Sequence, residues 1–174
     1  MSGEVTYSSY LDLDRILSAQ HPLSGAHDEM LFIIVHQASE LWLKLCIHEL
    51  ALARNCIARD ELRPAFKMLA RVARAQGQLI QSWDVLSTMT PHDYSTVRPH
   101  LGGSSGFQSP QYRMMEFMLG GRNPNHVTRH EATPEVADAL RAELTRPSIY
   151  AEAIALLARR GFPIPADVLA RDPG

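Results

Sequence analysis

Apolar positions along this chain recur at intervals of three and four, and Val, Ile and Thr never alternate with polar residues long enough for a half-buried strand. The pattern predicts a short helix over about Tyr7 to Ser18, broken by His21-Pro22-Leu23-Ser24-Gly25. A long helix then runs from about Asp28 to near Arg59, with Asp28 and Glu29 at its positive N-terminal end. A second long helix is expected from about Glu61 to Ser87, where Leu62, Phe66, Leu69, Val72, Leu79, Ile80, Trp83 and Leu86 keep the helical spacing. Pro64 falls in its first turn, where the missing N–H costs nothing.

Shorter helices follow. Thr90-Pro91-His92-Asp93 starts one by capping, by proline at the first helical position and by an acid in the first turn. Pro99 disfavours helical geometry at Arg98 and ends it. Gln108 to Leu119 reads as another, stopped by Gly120-Gly121. Thr133-Pro134-Glu135 opens a further one that ends near Thr145, and Pro147 opens a last one that Gly161 terminates. Pro163 to Gly174, with three prolines, reads as a loop. The expected fold is all-α: one helical domain over residues 1–174, a bundle of two long helices with several short ones packed on them.

Composition narrows the function classes. The chain has 174 residues, 45% hydrophobic and 21% charged, enough for one well-packed domain. A net charge of −2 gives no basis for a nucleic-acid partner or an acidic membrane surface. No apolar run is expected to span a bilayer, and the N-terminus lacks a basic-then-apolar secretory pattern. Cys46 and Cys56, ten positions apart on one helix, are too far apart to bridge and are expected as reduced, buried small hydrophobes of a cytoplasmic protein. No close Cys/His cluster suggests zinc.

Two segments carry candidate chemistry. In Phe32-Ile33-Ile34-Val35-His36, the aromatic ring and the imidazole lie four apart on one helical face. That pair could wall a flat, partly polar ligand, or His36 could be a core histidine satisfied by a neighbouring carbonyl. On the short helix Tyr94 and Arg98 are also four apart, and a guanidinium beside a phenol can grip a carboxylate. A surface arginine is the plainer alternative. Trp83 reads equally as a core residue of an amphipathic helix. Gly102-Gly103-Ser104-Ser105-Gly106 has no following lysine and is not a phosphate loop. His126 and His130 share a spacing that suits a metal, but lie in a polar connection with no third ligand, and are expected to be solvated. His27 and His48 are expected to serve capping and packing.

These segments belong to a longer series of words in fixed order. It includes Thr6-Tyr7-Ser8-Ser9-Tyr10-Leu11, His27-Asp28-Glu29-Met30-Leu31-Phe32-Ile33-Ile34-Val35-His36-Gln37, Ser39-Glu40-Leu41-Trp42, His48-Glu49-Leu50, Pro91-His92-Asp93-Tyr94, Ser105-Gly106-Phe107-Gln108-Ser109, Gln111-Tyr112-Arg113 and Pro147-Ser148-Ile149-Tyr150. The series resembles the tryptophan 2,3-dioxygenase family. The resemblance implies a haem-dependent oxidoreductase of tryptophan catabolism (the kynurenine pathway) that cleaves the indole C2–C3 bond of L-tryptophan with dioxygen, giving N-formylkynurenine. It implies that His36 hydrogen-bonds the indole N–H, through either ring nitrogen, that Phe32 contacts the indole and haem, and that Arg98 and Tyr94 hold the carboxylate. Trp83 would lie near the haem edge, with Ser105 and Gly106 in a small-residue loop over the haem where Ser105 also faces substrate. Tyr7 and Leu11 would reach the active site of a neighbouring subunit in a homotetramer. Arg113 and Glu116 are expected to form a structural ion pair.

The family's iron-binding proximal histidine and its substrate-ammonium loop lie in a C-terminal part that has no counterpart here, so the chain is expected to be C-terminally incomplete. No histidine in it is placed opposite His36, and as a whole polypeptide it would bind haem weakly or not at all. The competing expectations are a haem-dependent oxygenase of another indole or aromatic amino acid, and a haem-free helical protein that binds an aromatic amino acid or oligomerises.

Overall fold

The computed structural model describes residues 5–103 and 108–169, and among them it contains helices and turns with no strand. The short N-terminal helix is two: α1 (Tyr7–Leu11) and α2 (Leu13–Leu17), separated at Asp12. Asp12 adopts φ 51°, a left-handed conformation that a short polar side chain tolerates and that a helix cannot pass through. The Thr6 and Ser9 side chains close a reciprocal capping box at the start of α1.

The two long helices are α3 (Glu29–Ala58) and α4 (Leu62–Leu86), close to their expected limits. Three residues connect them, with Asp60 at φ 63° making the reversal, so they run as an antiparallel hairpin. Leu43, Cys46 and Leu50 of α3 meet Val72 and Ala75 of α4 in the main apolar cluster. Met115 and Met118 of α6 (Pro110–Leu119) complete it. Both cysteines are free and buried, and burial pushes the Cys46 thiol up.

The apolar residues predicted on α4 divide between two faces. Val72 is buried, and Leu69 and Leu79 pack against the main cluster, while Phe66, Ile80 and Trp83 are exposed. Helical spacing alone does not distinguish these faces. Contrary to the expectation from the sequence, α3 is long and apolar enough by length and composition to cross a membrane. Here it is the central helix, packed on α4, α6 and α8 (Ile149–Arg159), and its buried Glu49 and Arg54 side chains each form an ion pair.

One pair is Arg54 of α3 with Glu143 of α7 (Pro134–Leu144), both buried, with Arg54 also donating to the Pro147 carbonyl at 3.1 Å. Removing either partner would strand a desolvated charge, which makes this pair a specific tie between the hairpin and the later helices. Glu49 of α3 accepts from Arg71 of α4 at 3.1 Å.

The remaining elements follow the capping signals. The helix α5 (Pro91–Val97) begins at the Thr90 cap and continues as a 3-10 turn, Arg98–Leu101, where the sequence predicted a stop at Pro99. Ser109 caps α6, and Ser148, rather than Pro147, caps α8. A short α9 (Ala166–Leu169) occupies part of the expected C-terminal loop. The polar connection with His126 and His130 is two 3-10 turns, and His130 is buried, 8% exposed, with Nε2 unpartnered; it is not the solvated histidine expected. His27 and His48 are exposed and cap nothing. Among the described residues no cluster of His, Cys, Asp and Glu could hold a metal ion.

Glu29 is the anchor at the start of α3. Its buried carboxylate turns back and accepts from the Leu23 N–H at 2.8 Å, the Ser24 N–H at 2.6 Å and the Ser24 hydroxyl. The Leu23 N–H first, then Ser24, hold its carboxyl below the usual carboxylate range. A carboxyl lowered by folding contributes stability above its unfolded value and loses it as pH falls. Glu29→Gln should therefore lower the melting temperature at neutral pH, and the gap to wild type should close as pH drops below the ordinary value of 4.5. A gap that persists unchanged at pH 3 would show that the carboxylate charge is not what these N–H groups hold.

Candidate active site

A cleft of about 1070 Å³ opens between the N-terminal half of α3, the C-terminal half of α4, α5 and the start of α6. Phe32, His36, Trp83, Tyr94 and Arg98, five of the residues singled out in the sequence, line it together. Apolar side chains, among them Leu43, Leu79 and Leu86, share the remaining wall with polar ones such as Ser39, Ser82 and Ser109.

On α3 the one-turn spacing stacks Phe32 on His36, with ring centroids 4.1 Å apart and planes tilted by 36°. His36 Nδ1 lies 2.7 Å from the Phe32 carbonyl oxygen. A carbonyl only accepts, so Nδ1 carries the proton and donates, and in the neutral ring Nε2 is left as the acceptor. The two readings of His36 thus meet in one residue: a backbone carbonyl satisfies one nitrogen, and the ring still lines the cleft.

On α5 the Thr90 hydroxyl and N–H bind Asp93 Oδ2 at 2.6 and 2.9 Å, and the Asp93 N–H returns to the Thr90 hydroxyl at 3.2 Å. Thr90, through its hydroxyl first, holds the Asp93 carboxyl below its usual range. This box fixes the helix that presents Tyr94, whose ring stands 6.3 Å from Phe32. Arg98 donates to the Gly102 carbonyl at 2.7 Å, and among the described residues no carboxylate pairs with it. An unneutralised guanidinium on the rim of an apolar cleft suits a carboxylate arriving with a ligand.

Trp83 is 65% exposed, so its reading as a core residue of α4 does not hold; its ring is part of the cleft wall. Tyr7 and Leu11 are exposed on α1 and do not line the cleft of their own chain. Ser105 and Gly106 lie outside the described residues. Arg113 and Glu116 form the expected ion pair at 2.7 Å, and Arg113 also sits over the Tyr112 ring and lines the cleft.

Sequence reasoning missed Glu40 and Tyr112 as wall residues. Glu40 is one turn beyond His36 on the same face of α3, a signal that was available. Gln111 of α6 donates to Glu40 through both its backbone oxygen and its carboxylate, at 2.9 and 2.7 Å.

The fold and site thus define a helical-hairpin protein whose largely apolar cleft carries a fixed imidazole on one wall and a guanidinium bonded to a backbone carbonyl. Residues 1–155 match the family model described as tryptophan 2,3-dioxygenase, and the chain belongs to that family. It is 80% identical over 171 residues to the tryptophan 2,3-dioxygenase of Erythrobacter litoralis, covering 98% of this chain and 65% of that protein. It is 55% identical to tryptophan 2,3-dioxygenase 1 of Ralstonia nicotianae and 56% identical to the tryptophan 2,3-dioxygenase of Burkholderia orbicola, each over 98% of this chain. The chain spans 58% and 55% of the length of those two relatives.

The His36 assignment is open to direct measurement. Long-range nitrogen-15 correlation at pH 8 should show Nδ1 protonated and Nε2 unprotonated in this residue. The reverse pattern would mean that the bond to Phe32 is absent in solution and that Nε2 is no acceptor.

Proposed function

We propose that this chain carries the substrate-reading part of a haem-dependent dioxygenase that cleaves the indole C2–C3 bond of L-tryptophan to give N-formylkynurenine. The observation that carries this reading is the meeting of Phe32, His36, Tyr94 and Arg98 on one cleft. Membership of the tryptophan 2,3-dioxygenase family supports it.

The largely apolar, open-sided cleft fits one face of a flat macrocycle. Trp83, with Ser105 and Gly106, would hold haem from this chain. Among the described residues His36 is the one histidine that lines the cleft, and its Nδ1 is already engaged. The protein ligand that would hold the haem iron is assigned in this proposal to residues other than those described. Haem, when bound, supplies the activation of dioxygen.

The protein's share is orientation. The planar fork of Arg98 pairs with the amino-acid carboxylate, with the Tyr94 phenol beside it. His36 keeps its proton on Nδ1 and accepts the indole N–H at Nε2. Phe32, stacked on that imidazole, limits the tilt of the indole. Two-ended anchoring holds the reacting carbons in one place, a contribution that is lost when the ring is displaced by a fraction of its own width. In the proposed assembly, a cytoplasmic homotetramer, Tyr7 and Leu11 of one subunit close the cleft of the next.

Arg98→Ala should weaken L-tryptophan binding by about 2–5 kcal/mol, because the bound carboxylate loses its partner in a desolvated site. His36→Ala should weaken L-tryptophan strongly but leave an analogue with sulfur in place of the indole N–H almost unaffected. Calorimetric titration measures both, and a Soret band on haemin addition reports the cofactor. Wild-type affinity in Arg98→Ala would overturn the placement of the carboxylate.

A further inference from the structure

We infer that the Gln111 amide, bonded to Glu40, is a positioning device that sets the distance between Arg98 and His36 and thereby the span of amino acid the cleft accepts. The inference rests on the substrate reading above.

The cleft has two anchoring walls on different parts of the chain. His36 is fixed on α3, whereas Arg98 sits at the start of the 3-10 turn after α5, in the connection that leads to α6. Near its start this connection is tied by the Arg98 bond to the Gly102 carbonyl at 2.7 Å. Towards its end Gln108 donates to the Gly103 carbonyl at 3.2 Å, and Ser109 caps α6 by accepting from the Tyr112 N–H at 3.1 Å. Gln111 then fastens the first turn of α6 to α3 one turn beyond His36, through the two bonds to Glu40 at 2.9 and 2.7 Å.

The buried apolar residues of α6, Met115, Phe117 and Met118, lie on its C-terminal half, away from the turn that Gln111 fastens. Met115 and Met118 pack against Leu43 and Cys46 on its C-terminal half, and such contact is non-directional and tolerates a small slide with flexible methionines. Hydrogen bonds from one planar amide to a backbone oxygen and a carboxylate oxygen of the same residue are directional, and a slide of α6 breaks both. The latch thus holds the end of the connection that carries Arg98 against the helix that carries His36. Glu40 and Gln111 act through those two residues and need not touch substrate.

Gln111→Glu removes the donor and sets two carboxylates together, while Gln111→Leu removes the donor without adding charge. Either should speed amide hydrogen exchange over residues 98–103 with little change in the melting temperature. Either should also weaken L-tryptophan by about tenfold, because the connection must then be ordered when the ligand binds. Selectivity for L-tryptophan over the homologue with one extra methylene should shrink with it, which a merely structural contact would not cause. Adding Glu40→Gln to the Gln111→Glu background supplies the amide from the other side and should recover most of the exchange protection and selectivity. Unchanged exchange over residues 98–103, unchanged selectivity, or no recovery in the double variant would each overturn the inference. Wild-type protein that binds neither ligand would instead remove the substrate reading and the span selectivity with it, while the exchange comparison would still report whether the latch holds the connection.

Discussion

The hydrogen bond from His36 Nδ1 to the Phe32 carbonyl, one helical turn back, is the constraint on which the site depends. A histidine on an apolar helix has two nitrogens to satisfy, and a backbone oxygen takes only one of them. The bond fixes the tautomer, holds the ring against Phe32 at 4.1 Å and leaves a single acceptor for a ligand. It works only while α3 stays helical through this stretch, because the i and i+4 positions face each other in no other backbone. The stability of α3 is therefore part of the site's chemistry.

The fold supplies that stability from both ends of the helix. At its start Glu29 gathers the Leu23 and Ser24 N–H groups, and near its end Arg54 reaches Glu143 and the Pro147 carbonyl. Between them the apolar cluster with α4 and α6 fixes the face that carries Leu43, Cys46 and Leu50 inward. The cleft-lining residues Phe32, His36 and Glu40 lie towards the N-terminal end of the same helix, so core and site share one rigid element. The opposite wall is less self-sufficient: α5 has seven residues and is held by the Thr90–Asp93 box. That division, a firm wall for the aromatic part of a ligand and a tethered wall for its anion, matches the proposed two-ended grip on L-tryptophan.

Much of this was legible in the sequence, because its signals are local. The limits of α3 and α4, the Thr90 cap and the Phe32–His36 and Tyr94–Arg98 pairs follow from spacing and capping within a turn or two. What escaped depends on tertiary packing. Apolar spacing along α4 could not tell inward Val72 from outward Phe66, Ile80 and Trp83. Two 3-10 turns bury His130 in a connection whose composition reads as solvated. The Gln111–Glu40 latch joins residues 71 positions apart, beyond the reach of any periodicity. The break at Asp12 needs a left-handed residue that the sequence does not require to be glycine.

A crystal structure of the protein with L-tryptophan bound would show whether Arg98 and His36 grip the two ends of the ligand. The carboxylate should lie on the Arg98 guanidinium and the indole nitrogen within hydrogen-bonding distance of His36 Nε2, with the ring against Phe32. L-tryptophan seated elsewhere, or in this cleft with its carboxylate away from Arg98 and its indole nitrogen away from His36, would contradict that grip.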